Sequence, residues 1–399
     1  MKKIALIGTY SPRKCGIASF NADLYNSISN GSGQCDVLAI NDDAHYNYPS
    51  EVKFQIQQHT REDYLTASKF LNDGGYEVVC IQHEFGIFGG ENGSYVLDLV
   101  KRLKMPVVLI FHTILDEPSE QQKEIVCRLN RYSSRIVVML EKGKQILVEN
   151  FGISEGKIKV IGHGIPDYSQ FNFVNYKEKL GVENKKVLLT FGLLSKNKGI
   201  ETTIKALPKI LKKHPDIVYV ILGASHPHVV MQEGENYRFS LMELARSLNV
   251  DSHVIFINQF VSQEELFGFL EMSDIYIIPY LSEKQITSGT LAYAMATHNA
   301  VVSTPFWHAQ EALANGKGLF FNFHDAKALG KIVNRLLDQP SLLNEYQNRA
   351  LNYARHFDWK KIGEKYIALF QTLFQPKLIQ FYNPRDNAKI ARNQTRSFI

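Results

Sequence analysis

The sequence predicts an α/β protein built from two Rossmann-like domains, and two observations lead to this class. Short runs rich in Val and Ile alternate with amphipathic stretches, and this alternation occurs twice along the chain. The 399 residues are also too many for a single hydrophobic core. Because alternating strands and helices form parallel, doubly wound sheets, we expect two such sheets facing a central cleft.

The predicted strands are short apolar runs, which are too short for helices and fit the interior of a parallel sheet. They cover residues 3–8, 35–40, 77–82, 106–111 and 135–140, then 186–191, 217–222, 253–257, 275–279 and 300–303. Helical spacing of apolar residues lies between them, at 17–28, 62–71, 94–103, 119–131, 200–211, 237–248, 263–271 and 289–296. Three further helices are predicted at 326–337, 342–354 and 359–374.

A polar and aromatic stretch without a clear period separates the two sets and suits a hinge. We therefore expect an N-terminal Rossmann-like domain at 1–165 and a linker at 166–185. A C-terminal Rossmann-like domain should follow at 186–357. Residues 358–399 form a last helix and a basic tail, and this segment is free to return to the N-terminal domain.

Composition narrows the function classes. The net charge is +5, but the tail from residue 375 onward carries five basic residues and one acidic residue, so the remainder is nearly neutral. A nucleic-acid partner is therefore not expected, since such proteins present a broad basic face. Four scattered cysteines without a CxxC pair predict neither disulfides nor a zinc site and suit the reducing cytoplasm. No apolar run reaches the roughly 18 residues needed to span a bilayer.

The strongest candidate for ligand binding is the string Ser288-Gly289-Thr290, where a polar loop meets a helix of small residues. Unpaired amides at a helix start carry partial positive charge and bind anions. Ser288 and Thr290 add hydroxyl donors, and Gly289 allows a ligand close to the backbone. A diphosphate would fit this position. A well-capped helix without a ligand is the alternative.

Two more loops at predicted strand ends suit anions. Lys198 lies in the loop after the first strand of the second domain, where it is either a point charge for phosphate or an ordinary surface lysine. Gly16 precedes the first helix of the chain, beside Arg13 and Lys14. Neither a GxGxxG fingerprint nor a Walker sequence is present, so dinucleotide and P-loop chemistry are not indicated.

A third feature concerns membranes. Residues 94–104 combine apolar positions with Lys101, Arg102 and Lys104, a pattern compatible with docking on anionic lipid. The alternative is an ordinary helix that faces the core. We expect a cytoplasmic protein, with peripheral contact to the inner face of the membrane as an open alternative.

Five strings in order along the chain resemble those of the retaining family-4 glycosyltransferases of GT-B architecture, in their mannosyltransferase-like branch. They are Tyr10-Ser-Pro-Arg-Lys-Cys-Gly-Ile-Ala, Gln82-His-Glu-Phe-Gly-Ile-Phe, Phe191-Gly-Leu-Leu-Ser-x-x-Lys-Gly, Gly289-Thr-Leu-Ala-Tyr-Ala-Met and Val302-Ser-Thr-Pro-Phe-Trp-His-Ala-Gln-Glu311. The resemblance extends over nearly the whole chain. Each string alone is weak, but the ordered series is specific.

The resemblance implies roles for individual residues. Those expected at the reacting centre are His112, Lys198 and Gln285. Those expected at the donor and its diphosphate are Gly16, Lys198, Gly223, Ser288, Gly289, Thr290 and Tyr293. Those expected on the acceptor side are His83 and Glu84, whereas His163 is expected to be structural.

Three positions depart from the family pattern. Gln285 and Tyr293 stand where the family has two glutamates eight positions apart, one for the donor sugar and one for the ribose. Gln285 can still hydrogen-bond a sugar hydroxyl, and Tyr293 either offers its hydroxyl to the ribose or packs in the core. Leu193 replaces an arginine that usually accompanies the lysine, and Arg13 or Lys14 is a candidate substitute.

The resemblance implies transfer of a hexosyl unit from a nucleotide diphosphate sugar to a hydroxyl acceptor, with retention at the anomeric carbon. Mannose is the favoured sugar and GDP-mannose the favoured donor, with a UDP-sugar as the alternative. No cofactor and no metal are expected, and the acceptor is a glycan or a lipid-linked molecule, as in polysaccharide biosynthesis. The rival functions are a phosphorylase or epimerase on the same fold, or a non-catalytic protein that binds nucleotide sugars.

Overall fold

The computed structural model describes residues 2–30, 34–167, 171, 174–225, 230 and 233–374. The basic tail predicted from residue 375 onward and part of the predicted linker lie outside these described residues. Two parallel sheets form the framework, as the sequence predicts.

The N-terminal sheet has seven strands in the order β3-β2-β1-β4-β5-β6-β7. Its strands are β1 Lys3–Gly8, β2 Gln34–Asn41, β3 Val52–Gln57, β4 Val78–His83, β5 Val107–Phe111, β6 Arg135–Val138 and β7 Ile158–Val160. Its helices are α1 Gly16–Ser29, α2 Arg61–Asp73, α3 Val96–Val100, α4 Glu120–Tyr132 and α5 Glu141–Phe151. Alternate residues of β1 enter two apolar clusters, so both faces of the sheet are covered.

The C-terminal sheet has six strands in the order β10-β9-β8-β11-β12-β13. Its strands are β8 Lys186–Phe191, β9 Ile217–Leu222, β10 Val254–Ile257, β11 Ile275–Ile278, β12 Ala300–Ser303 and β13 Leu319–Phe320. The helices from the linker onward are α6 Tyr176–Lys179, α7 Ile200–Leu211, α8 Asn236–Ser247, α9 Gln263–Glu271, α10 Gly289–Ala296, α11 Trp307–Ala312, α12 Ala326–Asp338, α13 Pro340–Ala354 and α14 Trp359–Phe374.

The sequence analysis missed three strands and three helices of the described residues, namely the short helix α6 in the linker and the interdomain helices α5 and α11. Strand β3 alternates buried and exposed residues at the edge of its sheet, and β7 and β13 are only three and two residues long. Such edge strands lack the continuous apolar run that marks a central parallel strand. Helices α5 and α11 each contain only a short apolar stretch. The bond between Glu141 and Glu311 places both helices at the interface between the domains.

The last helix crosses back to the first domain. Tyr366 and Phe370 of α14 enter the same apolar cluster as Leu6 of β1. Gly363 allows the close approach, because a Cβ there would lie 2.6 Å from Ser27 Oγ on α1. Burial of these aromatic side chains fastens the C-terminal segment to the N-terminal domain.

Helix α3 is shorter than predicted, and its apolar side faces inward. Val96, Leu97, Leu99 and Val100 are all buried in the core of the N-terminal domain. Asp98 is buried too, and it pairs with cations that include Arg61 at 2.6 Å. The alternative of an ordinary helix that faces the core is therefore correct for α3, and the hypothesis that its apolar face docks on lipid is wrong. Among the described residues, no helix combines the length and the apolar character needed to cross a bilayer.

Polar contacts join the two domains across the cleft. Glu311 of α11 accepts hydrogen bonds from the amides of Glu141, at 3.2 Å, and Lys142, at 3.5 Å, at the start of α5. Lys284 pairs with Glu117 at 3.0 Å. These contacts place α11 and the loop before α10 against the N-terminal domain.

Candidate functional site

The start of α10 lies at the carboxyl end of β11, where ligands bind in doubly wound sheets. Ser288 is the N-cap of this helix, and its hydroxyl accepts a hydrogen bond from the amide of Leu291 at 3.3 Å. The buried hydroxyl accepts this cap bond through its oxygen, and it also lies 3.0 Å from Thr290 Oγ1. Ser288 thus shapes the helix start at 288–290, which we call the anchor, and a contact of its hydroxyl with a ligand stays a prediction.

Two amides remain open at this helix start. Among the described residues, the amide nitrogens of Gly289 and Thr290 donate no hydrogen bond. Unsatisfied amides at a helix N-terminus attract anions through their own dipoles and through the helix dipole. Thr290 is half-buried, and its hydroxyl bonds both Tyr280 Oη, at 2.9 Å, and Ser288 Oγ, at 3.0 Å.

Lys198 approaches the same point from the neighbouring loop. Its ammonium lies 3.9 Å from the ring centroid of Tyr280, whose hydroxyl bonds Thr290. A Cβ on Gly192 would lie 3.9 Å from Lys198 Nζ and 3.8 Å from Thr290 Cγ2, so the two loops converge on this glycine. No carboxylate among the described residues pairs with Lys198, which leaves its charge available to an anion.

The loops after β8 and β9 touch at two glycines. Gly223 has a φ of +143°, and a Cβ there would lie 2.1 Å from the carbonyl oxygen of Gly192. Any larger residue at Gly223 would force the two strand ends apart. The structure thus places Gly223 beside the Lys198 loop, on the side where the base of a nucleotide is expected.

Gln285 is less free than the sequence suggests. Its side-chain nitrogen donates to the carbonyl oxygen of Thr287 at 2.9 Å, within its own loop. This leaves the amide oxygen and the second N–H of Gln285 for sugar hydroxyls.

Tyr293 packs in the core instead of facing a ribose. Its ring contacts those of His163, at a centroid distance of 5.8 Å, and Phe267, at 5.5 Å. Burial raises the pKa of its phenol well above the ordinary value, and the nearby Asp23 adds to this rise. The packing alternative describes this residue, and the expected donor contact is corrected.

The N-terminal domain contributes Gly16 and His112. A Cβ on Gly16 would meet no atom within 4 Å, so the backbone there is open to a ligand. His112 Nε2 lies 2.8 Å from Gln82 Oε1, while Gln82 Nε2 donates to Asn21 Oδ1. This arrangement makes Nε2 of His112 the protonated nitrogen and leaves Nδ1 as an acceptor. Burial, with a smaller effect of His163, lowers the pKa of His112 to about 3, so the ring is neutral near pH 7.

His83 and Glu84, expected on the acceptor side, occupy different environments. His83 has no exposed surface, and its ring is enclosed by Phe85, Phe88 and Phe111. An acceptor could not touch His83 in this arrangement. Glu84 is half-buried and binds the hydroxyl of Thr113, so it stays nearer the surface at this strand end.

The basic residues of the first loop do not substitute for the missing arginine. Arg13 donates to the carbonyl oxygen of Ile40 at 3.0 Å and pairs with Asp42 at 3.3 Å. Lys14 lies 5.9 Å from the ring centroid of Phe260 on the opposite domain. Arg13 is thus engaged within its own domain, and Lys14 contacts an aromatic ring at the edge of the cleft.

Two histidines that the sequence analysis did not place at the anchor flank the start of α10. His163 donates from Nδ1 to the carbonyl oxygen of Gly164 at 2.7 Å, so its Nε2 is a free acceptor beside Gly289. His308 Nδ1 accepts a hydrogen bond from the amide of Ser288 at 2.8 Å. Behind them lies an interdomain cavity of about 200 Å³, which both histidines line together with Glu311.

Metal ligation has no obvious position here. Within the described part of the chain, no group of three or more His, Cys, Asp or Glu side chains is arranged to hold a metal ion. The polar groups that converge on the cleft are instead a lysine, two backbone amides and neutral imidazoles.

Comparison with known proteins gives a family match and several relatives. Residues 173–357 match the model of the family described as Glycosyl transferases group 1. The chain is 24% identical over 257 residues to spore coat protein SA of Bacillus subtilis (strain 168), covering 60% of this chain and 65% of that protein. It is 24% identical over 321 residues to D-inositol 3-phosphate glycosyltransferase of Corynebacterium efficiens, covering 76% and 73% of the two chains.

Solved structures resemble the whole fold. Anabaena HepE in complex with UDP matches with a TM-score of 0.74 and 16% identity, covering 94% of this chain and all of that one. Sucrose-phosphate synthase from Thermosynechococcus elongatus matches with a TM-score of 0.76 and 16% identity, covering 94% and 99%.

These likenesses show the fold and a similarity to glycosyltransferases. The two Rossmann-like domains form the GT-B architecture, as expected. Residues 173–357 resemble a glycosyltransferase domain, and a relative matched over most of its length is a glycosyltransferase. The first of these relatives is matched over less than two thirds of its length, so the particular reaction belongs to the proposal that follows.

Proposed function

We propose that this protein transfers a hexosyl unit, with mannose favoured, from a nucleotide diphosphate sugar to a hydroxyl acceptor, with retention and without a metal. The observation that carries the proposal is the cradle formed by the unpaired ammonium of Lys198 and the open amides of Gly289 and Thr290. These groups supply positive charge at the carboxyl edge of the sheet, where a diphosphate would sit.

The cradle suits the chemistry of the leaving group. Negative charge grows on the diphosphate as its bond to the sugar breaks, so donors fixed in place beforehand stabilise the transition state. Lys198 is held over Tyr280, and the amides are held by the helix, so neither has to reorganise during the reaction. These fixed groups support a reaction in which the protein itself supplies the positive charge that stabilises the leaving diphosphate.

The wall of the cleft that belongs to the N-terminal domain would shape the reacting centre. Phe20 packs between His112, at a centroid distance of 4.9 Å, and His163, at 5.1 Å. His163 in turn touches Gly289, which links the N-terminal wall to the diphosphate anchor. A neutral His112 with a free Nδ1 can accept a hydrogen bond from a sugar hydroxyl.

Retention in this proposal needs no protein nucleophile. Gln285 cannot attack a sugar carbon as a carboxylate could, and its nitrogen is tied to Thr287. Attack from the same face as the departing diphosphate, assisted by that leaving group, is the route that fits these residues. The interdomain contacts of Glu311 and Lys284 would keep water out of the closed cleft.

The donor and the acceptor complete the proposal. GDP-mannose is the favoured donor, and a UDP-sugar is the alternative, since HepE was solved with UDP and with UDP-glucose. The acceptor would be a glycan or a lipid-linked hydroxyl. A location in the cytoplasm, peripheral to the inner face of the membrane, would depend on the basic tail, because α3 turns its apolar side inward.

A second candidate is a non-catalytic protein that binds nucleotide sugars. Neither Gln285 nor Tyr293 can offer a carboxylate to the sugar or the ribose. Because Tyr293 is also buried and the side chain of Gln285 is bonded within its own loop, this second role is favoured at these two positions. The anchor for the diphosphate would be the same in both functions.

Calorimetric titration with GDP, UDP, ADP and their hexose conjugates tests the proposal, followed by turnover with the donors that bind. We expect one nucleoside diphosphate to bind best and its sugar conjugate to be transferred or slowly hydrolysed. Binding without transfer or hydrolysis would favour the non-catalytic role, and dependence on free phosphate without a nucleotide would favour a phosphorylase. No response to any nucleotide would overturn the proposal.

A further inference from the structure

The loop that leads into α10 is tied at three points to the start of α11. The amide of Trp307 donates to the carbonyl oxygen of Glu283 at 3.0 Å, and the amide of His308 donates to that of Gln285 at 3.2 Å. The third bond runs the other way, from the amide of Ser288 to His308 Nδ1 at 2.8 Å. His308 thus holds both ends of the segment 285–288, once with its backbone and once with its side chain.

The side-chain bond fixes the chemical state of His308. An amide can only donate, so Nδ1 must carry the lone pair and Nε2 the proton. Burial lowers the pKa of His308 to about 3, with His163 adding to the effect, and the ring stays neutral near pH 7. A neutral imidazole can hold the Ser288 amide, whereas a protonated imidazole would repel it.

The consequence reaches the anchor itself. With its amide held by His308, Ser288 keeps an extended backbone, φ −147° and ψ 100°, and its hydroxyl can cap the amide of Leu291. The amide of Ser288 is therefore taken, the amide of Leu291 is taken, and those of Gly289 and Thr290 remain open. This division decides which amides can bind an anion.

We propose that His308 is a positioning residue for the diphosphate anchor: through its bond to the Ser288 amide it sets the backbone that presents the amides of Gly289 and Thr290. The inference rests on the proposed function. It predicts that His308 acts on the diphosphate portion of a ligand and not on the nucleoside portion, which would lie beyond Gly192 and Gly223.

The test compares two side chains of nearly the same shape. His308→Asn keeps an acceptor oxygen close to the position of Nδ1, whereas His308→Leu removes the acceptor. His253→Leu is the control for loss of a histidine bond to the backbone, because Nδ1 of His253 donates to the carbonyl oxygen of Ile217 at 2.8 Å, on a strand away from the anchor. Calorimetry would measure binding of GDP, UDP and the corresponding nucleosides, with thermal melting to monitor folding.

We expect His308→Leu to bind the preferred nucleoside diphosphate about tenfold more weakly, since one buried amide loses its partner and the loop relaxes. Binding of the nucleoside alone should stay unchanged, His308→Asn should recover most of the loss, and His253→Leu should bind like the wild type. If His308→Leu does not fold, His308→Ala takes its place.

Two failures are distinguishable. If the wild-type protein binds no nucleoside diphosphate, the proposed function fails and the positioning role falls with it. If the wild type binds but the variant without an acceptor binds equally well, or loses nucleoside and nucleoside diphosphate affinity alike, the positioning role alone is overturned.

Discussion

His163 Nε2 lies 3.2 Å from the position that a Cβ on Gly289 would occupy. Since Nδ1 of this histidine donates to the carbonyl oxygen of Gly164, the nitrogen that faces Gly289 carries a lone pair. The first residue of α10 is therefore held against a group of the opposite domain, and a methyl group there would require His163 to shift by a few tenths of an ångström. This contact ties the diphosphate anchor to domain closure.

Gly289→Ala should weaken binding of the nucleoside diphosphate, because the new methyl group pushes against His163 and shifts the helix start. We expect a loss of affinity of about fivefold and a destabilisation of about 1 kcal/mol, as for modest overpacking. Calorimetry and urea denaturation measure the two effects. Gly156→Ala is the control, since a Cβ there meets no atom within 4 Å. Unchanged affinity in Gly289→Ala would contradict the proposed anchor.

Lys198→Met should reduce the affinity for the nucleoside diphosphate by about tenfold to a hundredfold, because a charge-assisted contact with the diphosphate is lost. Lys196→Met is a matched control two positions away. Lys196 is exposed and pairs with Glu233 at 2.9 Å, a surface contact of little energetic weight. Equal losses in both variants would mean that Lys198 has no special role.

Glu311→Ala should loosen the cleft, because the start of α5 has no side-chain cap of its own and loses the carboxylate that accepts from Glu141 and Lys142. We expect a larger radius of gyration by small-angle X-ray scattering and faster hydrolysis of the donor by water. Glu345→Ala, which breaks an exposed pair with Arg349, should change neither. A radius equal to that of the wild type would show that this contact does not hold the domains.

His83→Leu should stabilise the protein by about 1 kcal/mol, since both ring nitrogens of His83 are buried without a partner among the described residues. Chemical denaturation measures the change, and His253→Leu should instead lose stability because its hydrogen bond disappears. A loss of stability in His83→Leu would indicate a partner for the imidazole.

Acid should destabilise the fold through four buried histidines. Burial lowers the pKa of His83, His112 and His308 to about 3 and that of His163 to about 4, against an ordinary value of 6.5. Above pH 6.5 these histidines are neutral in both the folded and the unfolded chain, so they do not make stability depend on pH. Below pH 6.5 the unfolded chain binds protons at these imidazoles and the folded chain does not. The free energy of unfolding therefore falls by about 1.4 kcal/mol per pH unit for each histidine.

Buried carboxyl groups oppose this trend. Burial raises the pKa of Asp23 to about 7, so the folded state holds a proton there that the unfolded chain has released, and burial also raises the pKa of Glu84 and Glu271. The four histidines and Asp23 alone give a net slope of about 4 kcal/mol per pH unit between about pH 6 and pH 5, and the two glutamates reduce it. Urea denaturation at several pH values measures it, and a flat stability profile across this range would show that the imidazoles can be protonated in place.

Most of the fold could be predicted from the sequence because central parallel strands are apolar throughout. The predicted bounds of β1, β8, β9 and β12 agree with the structure to the residue, as do those of α7, α9, α10 and α14. The edge strands β3, β7 and β13 could not be found in this way, because only one side or a few residues of each are covered. At α3 the spacing of apolar residues predicted a helix over 94–103, whereas the helix has only five residues.

The site was less predictable than the fold. The residue pattern placed Gly289 and Thr290 at a helix start and Lys198 in a loop, and the structure brings these three together. For Ser288 the structure adds a capping role, and for Tyr293 it replaces the expected ligand contact with packing. Nothing in the residue types of the Val302–Glu311 string marked His308 as the partner of the Ser288 amide, because that bond joins residues 20 positions apart through the fold.

By itself, the sequence determined the two sheets, the order of their strands along the chain and the helix start that can hold a diphosphate. These properties follow from local periodicity and from the intrinsic chemistry of a helix terminus. Only the tertiary structure decided which amides stay open, which histidines are neutral and which side chains face the cleft. Those outcomes depend on burial and on partners distant in sequence, such as His308 for Ser288 and His163 for Gly289, and no local pattern encodes them.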